Sequence, residues 1–170
     1  MTLAQVLEAP KIGRLCADGT FIRACTEGMI PEVVAFLRKM HAESAAHRDM
    51  SLNTGKLGQQ LLAALQYSHL VFLRVAIRGD EIIGVFFGLL ETPFFSNDII
   101  ARDLLWFVRK DKRGSVFGIR LLREFERWAK ENGASKIMLG QSTGVRIDET
   151  RKLYERLGYE VVGVNTVKEI

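Results

Sequence analysis

Cysteine is scarce: Cys16 and Cys25 are the only two thiols among 170 residues. They lack CxxC spacing and no histidine cluster accompanies them, so neither a zinc site nor a disulfide framework is indicated, and no metal is expected. No apolar stretch reaches the length of a membrane span. Residues 1–9, which carry Glu8, lack the basic start and apolar run of a secretory signal. No membrane role follows, and a cytoplasmic location is expected. No internal repeat or low-complexity segment is present. Zinc-finger, basic-zipper and ribonucleoprotein patterns are also missing, so the formal charge of +4 does not by itself point to nucleic acid. A small anionic cofactor accounts for that charge equally well.

Apolar residues make up 48% and charged residues 26% of the chain, the composition of an ordinary folded domain with a single core. Residues 1–19 hold Pro10, Gly13 and Gly19 with weak periodicity and are read as an N-terminal extension, leaving residues 20–170 as the domain. Phe21 to Ala24 suits a short strand, and Pro31 opens a helix whose apolar face carries Val33, Val34, Phe36, Leu37 and Met40. Leu57, Leu61, Leu62 and Leu65 recur at helical spacing. Leu70–Ile77 and Ile82–Leu90 flank Gly79-Asp80 as a hairpin, and Ile99–Val108 is a further strand. An amphipathic helix over Val116–Lys130 stops at Gly133. A short strand at Lys136–Leu139, a helix capped by Asp148 and ending at Gly158, and a final strand over Tyr159–Val167 complete the order. The fold class is α/β (α+β): a mixed, mostly antiparallel sheet flanked by about four helices.

The informative stretch runs from Leu104 to Leu122, a strand, a basic turn and a helix. A helix start leaves backbone N–H groups unpaired and carries the positive end of the macrodipole, so it receives phosphate oxygens where the side chains are small. Gly114, Ser115 and Gly118 provide such access. Arg109, Lys110, Lys112 and Arg113 place four cations in five positions beside it, reading either as phosphate partners or as a solvated loop.

Arg113-Gly114-Ser115-Val116-Phe117-Gly118 resembles the acetyl-coenzyme A turn of the GNAT superfamily of N-acetyltransferases, with Val116 in place of the middle glycine. Leu153-Tyr154-Glu155-Arg156-Leu157-Gly158-Tyr159 is similar to the superfamily's Leu-Tyr-x-x-x-Gly-Phe signature. With the element order, the resemblance spans roughly residues 20–167. It implies a GNAT-like fold and transfer of an acetyl group from acetyl-coenzyme A, as co-substrate, to an amine on a small molecule, peptide or protein. The cofactor residues it implies are Val108, Arg113, Gly114, Ser115, Val116, Phe117 and Gly118. Val108 would act through its backbone N–H and carbonyl. The family's Asn and Ala ahead of the tyrosine are replaced by Ile147-Asp148-Glu149-Thr150-Arg151, and their contacts do not carry over.

By the same resemblance Tyr154 is the general acid that protonates the departing thiolate, a task suited to a phenol that holds its proton at neutral pH. Packing of the ring against the core is the competing reading. Glu91, Asp103, His41 and His47 are possible bases, none of them chosen. Phe94 and Phe95 fit an acceptor pocket, a homodimer contact or an aromatic pair folded on the core. Gln141, Ser142 and Thr143 fit either the cleft or an ordinary loop. Two other functions remain in view. One is action on nucleic acid, on a charged transfer RNA or a DNA base, permitted by the charge but not favoured. The other is a catalytically silent coenzyme A-binding domain.

Overall fold

The computed structural model describes residues 13–168. Most of the segment read as an N-terminal extension, residues 1–12, lies outside the described residues. Its remainder contributes β1 (Gly13–Leu15), which pairs antiparallel with β2 (Phe21–Ala24). A 3-10 turn at Glu27–Met29 leads into α1 (Ile30–Glu43), where Pro31 occupies the first turn and costs no helical hydrogen bond. The helix α2 (Thr54–Leu65) is capped by Asn53, whose side chain accepts the Lys56 N–H at 2.8 Å. The hairpin β3 (Val71–Arg78) and β4 (Glu81–Glu91) is followed by β5 (Ile100–Val108), α3 (Val116–Glu131), β6 (Lys136–Met138) and α4 (Ile147–Arg156).

The six strands form one sheet in the order β1-β2-β3-β4-β5-β6, antiparallel except for the β5–β6 pair. That parallel pair is the strand-helix-strand crossover expected from the sequence. Helices cover both faces, which is why β3 and β4 read as continuous apolar runs instead of alternating. On one face Val33, Phe36 and Leu37 of α1 and Leu61 of α2 pack against Leu73, Val75, Val85 and Phe107. On the other, Phe117, Leu121, Phe125 and Ala129 of α3 pack against Phe72, Ala76, Ile83 and Phe86. Full burial of a side chain such as Phe86 or Phe125 stabilises by about 1.5–3 kcal/mol.

Glycine sets how closely α3 lies on the sheet. A Cβ on Gly88 would stand 2.5 Å from Phe125 Cε2 and 3.0 Å from the Arg102 carbonyl oxygen, so no larger residue fits between helix and strand there.

Two expectations are corrected. Residues 159–168 form no strand: Tyr159 packs against the α3 side of the core, and Val162, Val164 and Val167 beyond it are exposed. Their β-branched content gives strand propensity, but no edge of the sheet pairs with them, and propensity without a partner does not make a strand. Asp148 does not cap α4. Arg146, in the left-handed region at φ 51°, precedes the first helical residue, which places Asp148 and Glu149 inside the first turn. There their charge still favours the helix dipole. Among the described residues no helix is long and apolar enough to cross a membrane.

Candidate active site

The strands β5 and β6 pair only between Ile100–Arg102 and Lys136–Met138. Beyond Arg102, β5 continues six residues to Val108 while the chain after Met138 turns away. The strands therefore part at Asp103, and the wedge between them opens into a cavity of about 680 Å³. The end of α1, the start of α3 and the inner face of α4 close its sides, through residues such as Glu43, Ser115 and Tyr154.

The turn into α3 has an open glycine and a helix start without a side-chain cap. Gly114 sits at φ 80°, in the left-handed region, with nothing within 4 Å of where a Cβ would point. Ser115 is the N-cap residue, but its hydroxyl donates to the Lys112 carbonyl oxygen and caps no helical N–H. The first-turn amides are thus left for a ligand, and the residues here fit a phosphate group. Val116 is 61% exposed and does not line the cavity. Phe117, in contrast, is buried in the α3 face of the core, and only its backbone can serve. Gly118 faces β5: a Cβ there would lie 3.4 Å from Val108 Cγ2 and 3.9 Å from Trp106 Cζ2. Gly118 also lines the cavity.

The run of four cations is divided by its partners. Arg109 is bound to Glu81 and Asp111, each at 2.7 Å, and Lys112 lies 3.5 Å from Asp111. Arg113 turns inward. Its Nε donates to the Val108 carbonyl oxygen at 3.1 Å, its other arm is ion-paired with Glu43 of α1, and its guanidinium lies 5.5 Å from the Phe107 ring centroid. The Val108 carbonyl offered by the resemblance to a pantetheine arm is therefore already engaged on one side.

Tyr154 projects from α4 into the same cavity, stacked on Trp106 with ring centroids 6.1 Å apart and planes at 26°. Burial and the nearby Asp103 carboxylate push its phenol above the ordinary tyrosine value, so it keeps its proton across the physiological range. The ring is packed, and the residue also lines the cleft. Tyr159 packs against the Tyr154 ring, centroids 5.8 Å apart, donates to Glu126 at 2.8 Å and does not line the cavity.

Of the four possible bases, Asp103 and His47 line the cavity. Glu91 is ion-paired with Arg102 at 2.9 Å, and neither Glu91 nor His41 lines the cleft. Gln141, Ser142 and Thr143 do line it. The Thr143 carbonyl oxygen accepts from Ser44 Oγ at 3.0 Å, fastening this loop to the end of α1. Phe94 and Phe95 are exposed in the β4–β5 loop, edge to face at 5.1 Å, and take no part in the cleft. Sequence reasoning missed Glu43 and Trp106. Only the pairing of α1 with the turn before α3, and the stacking of α4 on β5, give them a place.

A splayed parallel strand pair, an uncapped helix start beside it and a protonated phenol across the gap define a class of protein, a mixed α/β fold with a cleft suited to a phosphate-bearing ligand and to proton donation. The chain belongs to the Acetyltransferase (GNAT) family, whose profile matches residues 41–159. No curated protein sequence matches the chain. Solved structures share the fold. A glucosamine-6-phosphate N-acetyltransferase from Arabidopsis thaliana superposes with a TM-score of 0.69 at 16% identity, covering 88% of this chain and 97% of that one. An aminoglycoside acetyltransferase from an uncultured soil metagenomic sample gives 0.67 at 17% identity, covering 89% and 98%. A transcriptional regulator from Bacillus halodurans C-125 gives 0.68 at 22% identity, covering 89% and 99%.

Proposed function

We propose that the protein transfers an acetyl group from acetyl-coenzyme A to a primary amine. The observation that carries this reading is that the α3 start, the Val108 strand end and Tyr154 line one cavity, so a phosphate-receptive surface and a proton donor face the same space. Acetyl-coenzyme A, when bound, supplies the activated acyl carbon. The first-turn amides of α3 hold its phosphates, with Gly114 permitting close approach. The Val108 end of β5 orients the acyl group, and Tyr154 keeps a proton for the departing sulfur. Gln141 to Thr143 and Asp103 line the cavity beside Tyr154 and are left for the acceptor, since Glu43 and Glu149 are ion-paired with Arg113 and Arg146.

The test is to incubate the protein with acetyl-coenzyme A and a panel of amines while recording free thiol and product mass. The panel includes glucosamine 6-phosphate, an aminoglycoside and a peptide with a free N-terminus. Amine-dependent thiol release with an acetylated product is expected. Coenzyme A binding without release for any amine would instead make this a binding domain.

A further inference from the structure

Asp103 occupies the fork of the wedge, and the strand geometry puts it there. Across β4 and β5, Phe87 pairs with Leu105 but Gly88 pairs with Asp103, so Leu104 is an extra residue in β5. A bulge of this kind re-aims neighbouring side chains and is common beside active sites. Asp103 is also the first β5 residue past the last β6 pair. Its Oδ1 accepts the Gly140 N–H at 2.7 Å, holding the carboxylate across the gap where the strands separate. The side chain lines the cavity together with Tyr154 and is close enough to raise that phenol's affinity for its proton. No described residue forms an ion pair with it.

We propose that Asp103 is the general base of the transfer, facing Tyr154 as general acid across the cleft, an assignment that rests on the acetyl-transfer reading above. The ammonium nitrogen of the acceptor must give up two protons. Asp103 takes the first and passes it to solvent, leaving a lone pair that forms the N–C bond to the thioester carbonyl carbon. The C–S bond then breaks and the sulfur takes the Tyr154 proton. The second proton leaves nitrogen through the same carboxylate and restores the phenol.

Burial raises the carboxyl to about 6, against a lowering by the Gly140 amide and Arg102. A base poised there is half ionised near pH 6 and ionised at neutral pH. The other charged or titratable groups facing it are Glu43 and His47 from α1 and the loop after it, Arg113 from the turn before α3, and Arg146, Glu149, Tyr154 and Arg156 from α4 and its start. Because imidazoles also change charge between about pH 5 and 8, His47→Gln is the control.

With the best amine of the panel, kcat of the parent is expected to fall on the acid side with a midpoint near pH 6. Asp103→Asn keeps the Gly140 hydrogen bond but cannot accept a proton. It should lower kcat at pH 7 by about 100-fold to 10,000-fold and remove the limb centred near pH 6. The deficit should shrink as pH rises, because the amine then loses its proton unaided. His47→Gln should retain the limb, and calorimetry should show coenzyme A affinity unchanged in Asp103→Asn.

A second readout needs no turnover. The folded carboxyl titrates near 6 and the unfolded one near 4, so this group's contribution is full below pH 4 and is lost as pH rises to 6. Asp103→Asn should therefore melt higher than the parent at pH 7.5, with the gap closing by pH 4. An unchanged kcat profile in Asp103→Asn, or an acid limb that follows His47, overturns the assignment while leaving acetyl transfer intact. A parent with no thiol release for any amine overturns the transfer reading, and Asp103 as its base with it.

Discussion

At the scale of single residues, the chemistry depends on how each environment moves a proton. Tyr154 is stacked on Trp106 and faces a carboxylate, and both burial and that charge favour its neutral form. A phenol held neutral has a proton to give, but it is a weaker acid than the departing thiol, so the transfer to sulfur is completed only as the phenoxide regains a proton from the attacking nitrogen. Tyr154→Phe keeps the ring and the stacking but removes the proton. It is expected to lower kcat by about 100-fold to 10,000-fold with little change in acetyl-coenzyme A affinity. Stopped-time thiol release and calorimetry on the same preparation check both halves. A variant turning over at the parental rate would leave Tyr154 with packing alone. Cys25, by comparison, is a thiol that burial pushes up to about 12, which makes it unreactive as a nucleophile.

At the scale of elements, the seam between α3 and β5 governs the shape of the cleft. At Gly118 the helix lies on the strand with room for little more than a methyl, a Cβ there meeting Val108 and Trp106 at van der Waals distance. A leucine there must either push on Val108 and Trp106 or fill the cavity that Gly118 also lines, and overpacking of this kind costs about 1–3 kcal/mol. Gly118→Leu should therefore melt measurably below the parent in a thermal scan and lose coenzyme A affinity together with stability. Gly118→Ala should melt within a few degrees of the parent, because a methyl at 3.4 Å is ordinary contact. A fully stable Gly118→Leu would mean that α3 can rise off β5 freely. The opposite wall is held by Arg113, which ties Glu43 of α1 to the carbonyl at the end of β5.

At the scale of the whole molecule, the charge of +4 is spread over a surface where most cations near the α3 start already have carboxylate partners. Attraction of a polyanionic ligand is then a field effect superposed on backbone contacts. Raising ionic strength shortens the screening length from about 30 Å at 0.01 M to about 3 Å at 1 M. Coenzyme A affinity measured by calorimetry should fall across that range yet persist at the upper end, where the α3 amides still bind. Affinity indifferent to salt would remove the field's contribution, and complete loss would remove that of the amides.

The order of strands and helices was legible because periodicity and turn residues act locally. Pro31 opens α1, Gly133 and Gly158 follow the ends of α3 and α4 at positive φ, and Gly79-Asp80 closes the β3–β4 hairpin. The glycine-bearing turn before α3 and the Leu-Tyr-x-x-x-Gly-Tyr run were legible for the same reason, each being a short contiguous stretch. Only the tertiary structure decided the rest. Leu104 reads as an ordinary strand residue, and only pairing with β4 shows it to be an extra one that re-aims Asp103. Residues 159–167 have strand composition, yet a strand exists only where residues pair with an edge, and these pair with none. Arg113 is a basic residue in a basic run until α1 brings Glu43 against it. Propensity is a property of neighbours along the chain. A cleft, a bulge and an ion pair are properties of neighbours in space, and those were settled by the packing of α1, α3 and α4 around the parting of β5 from β6.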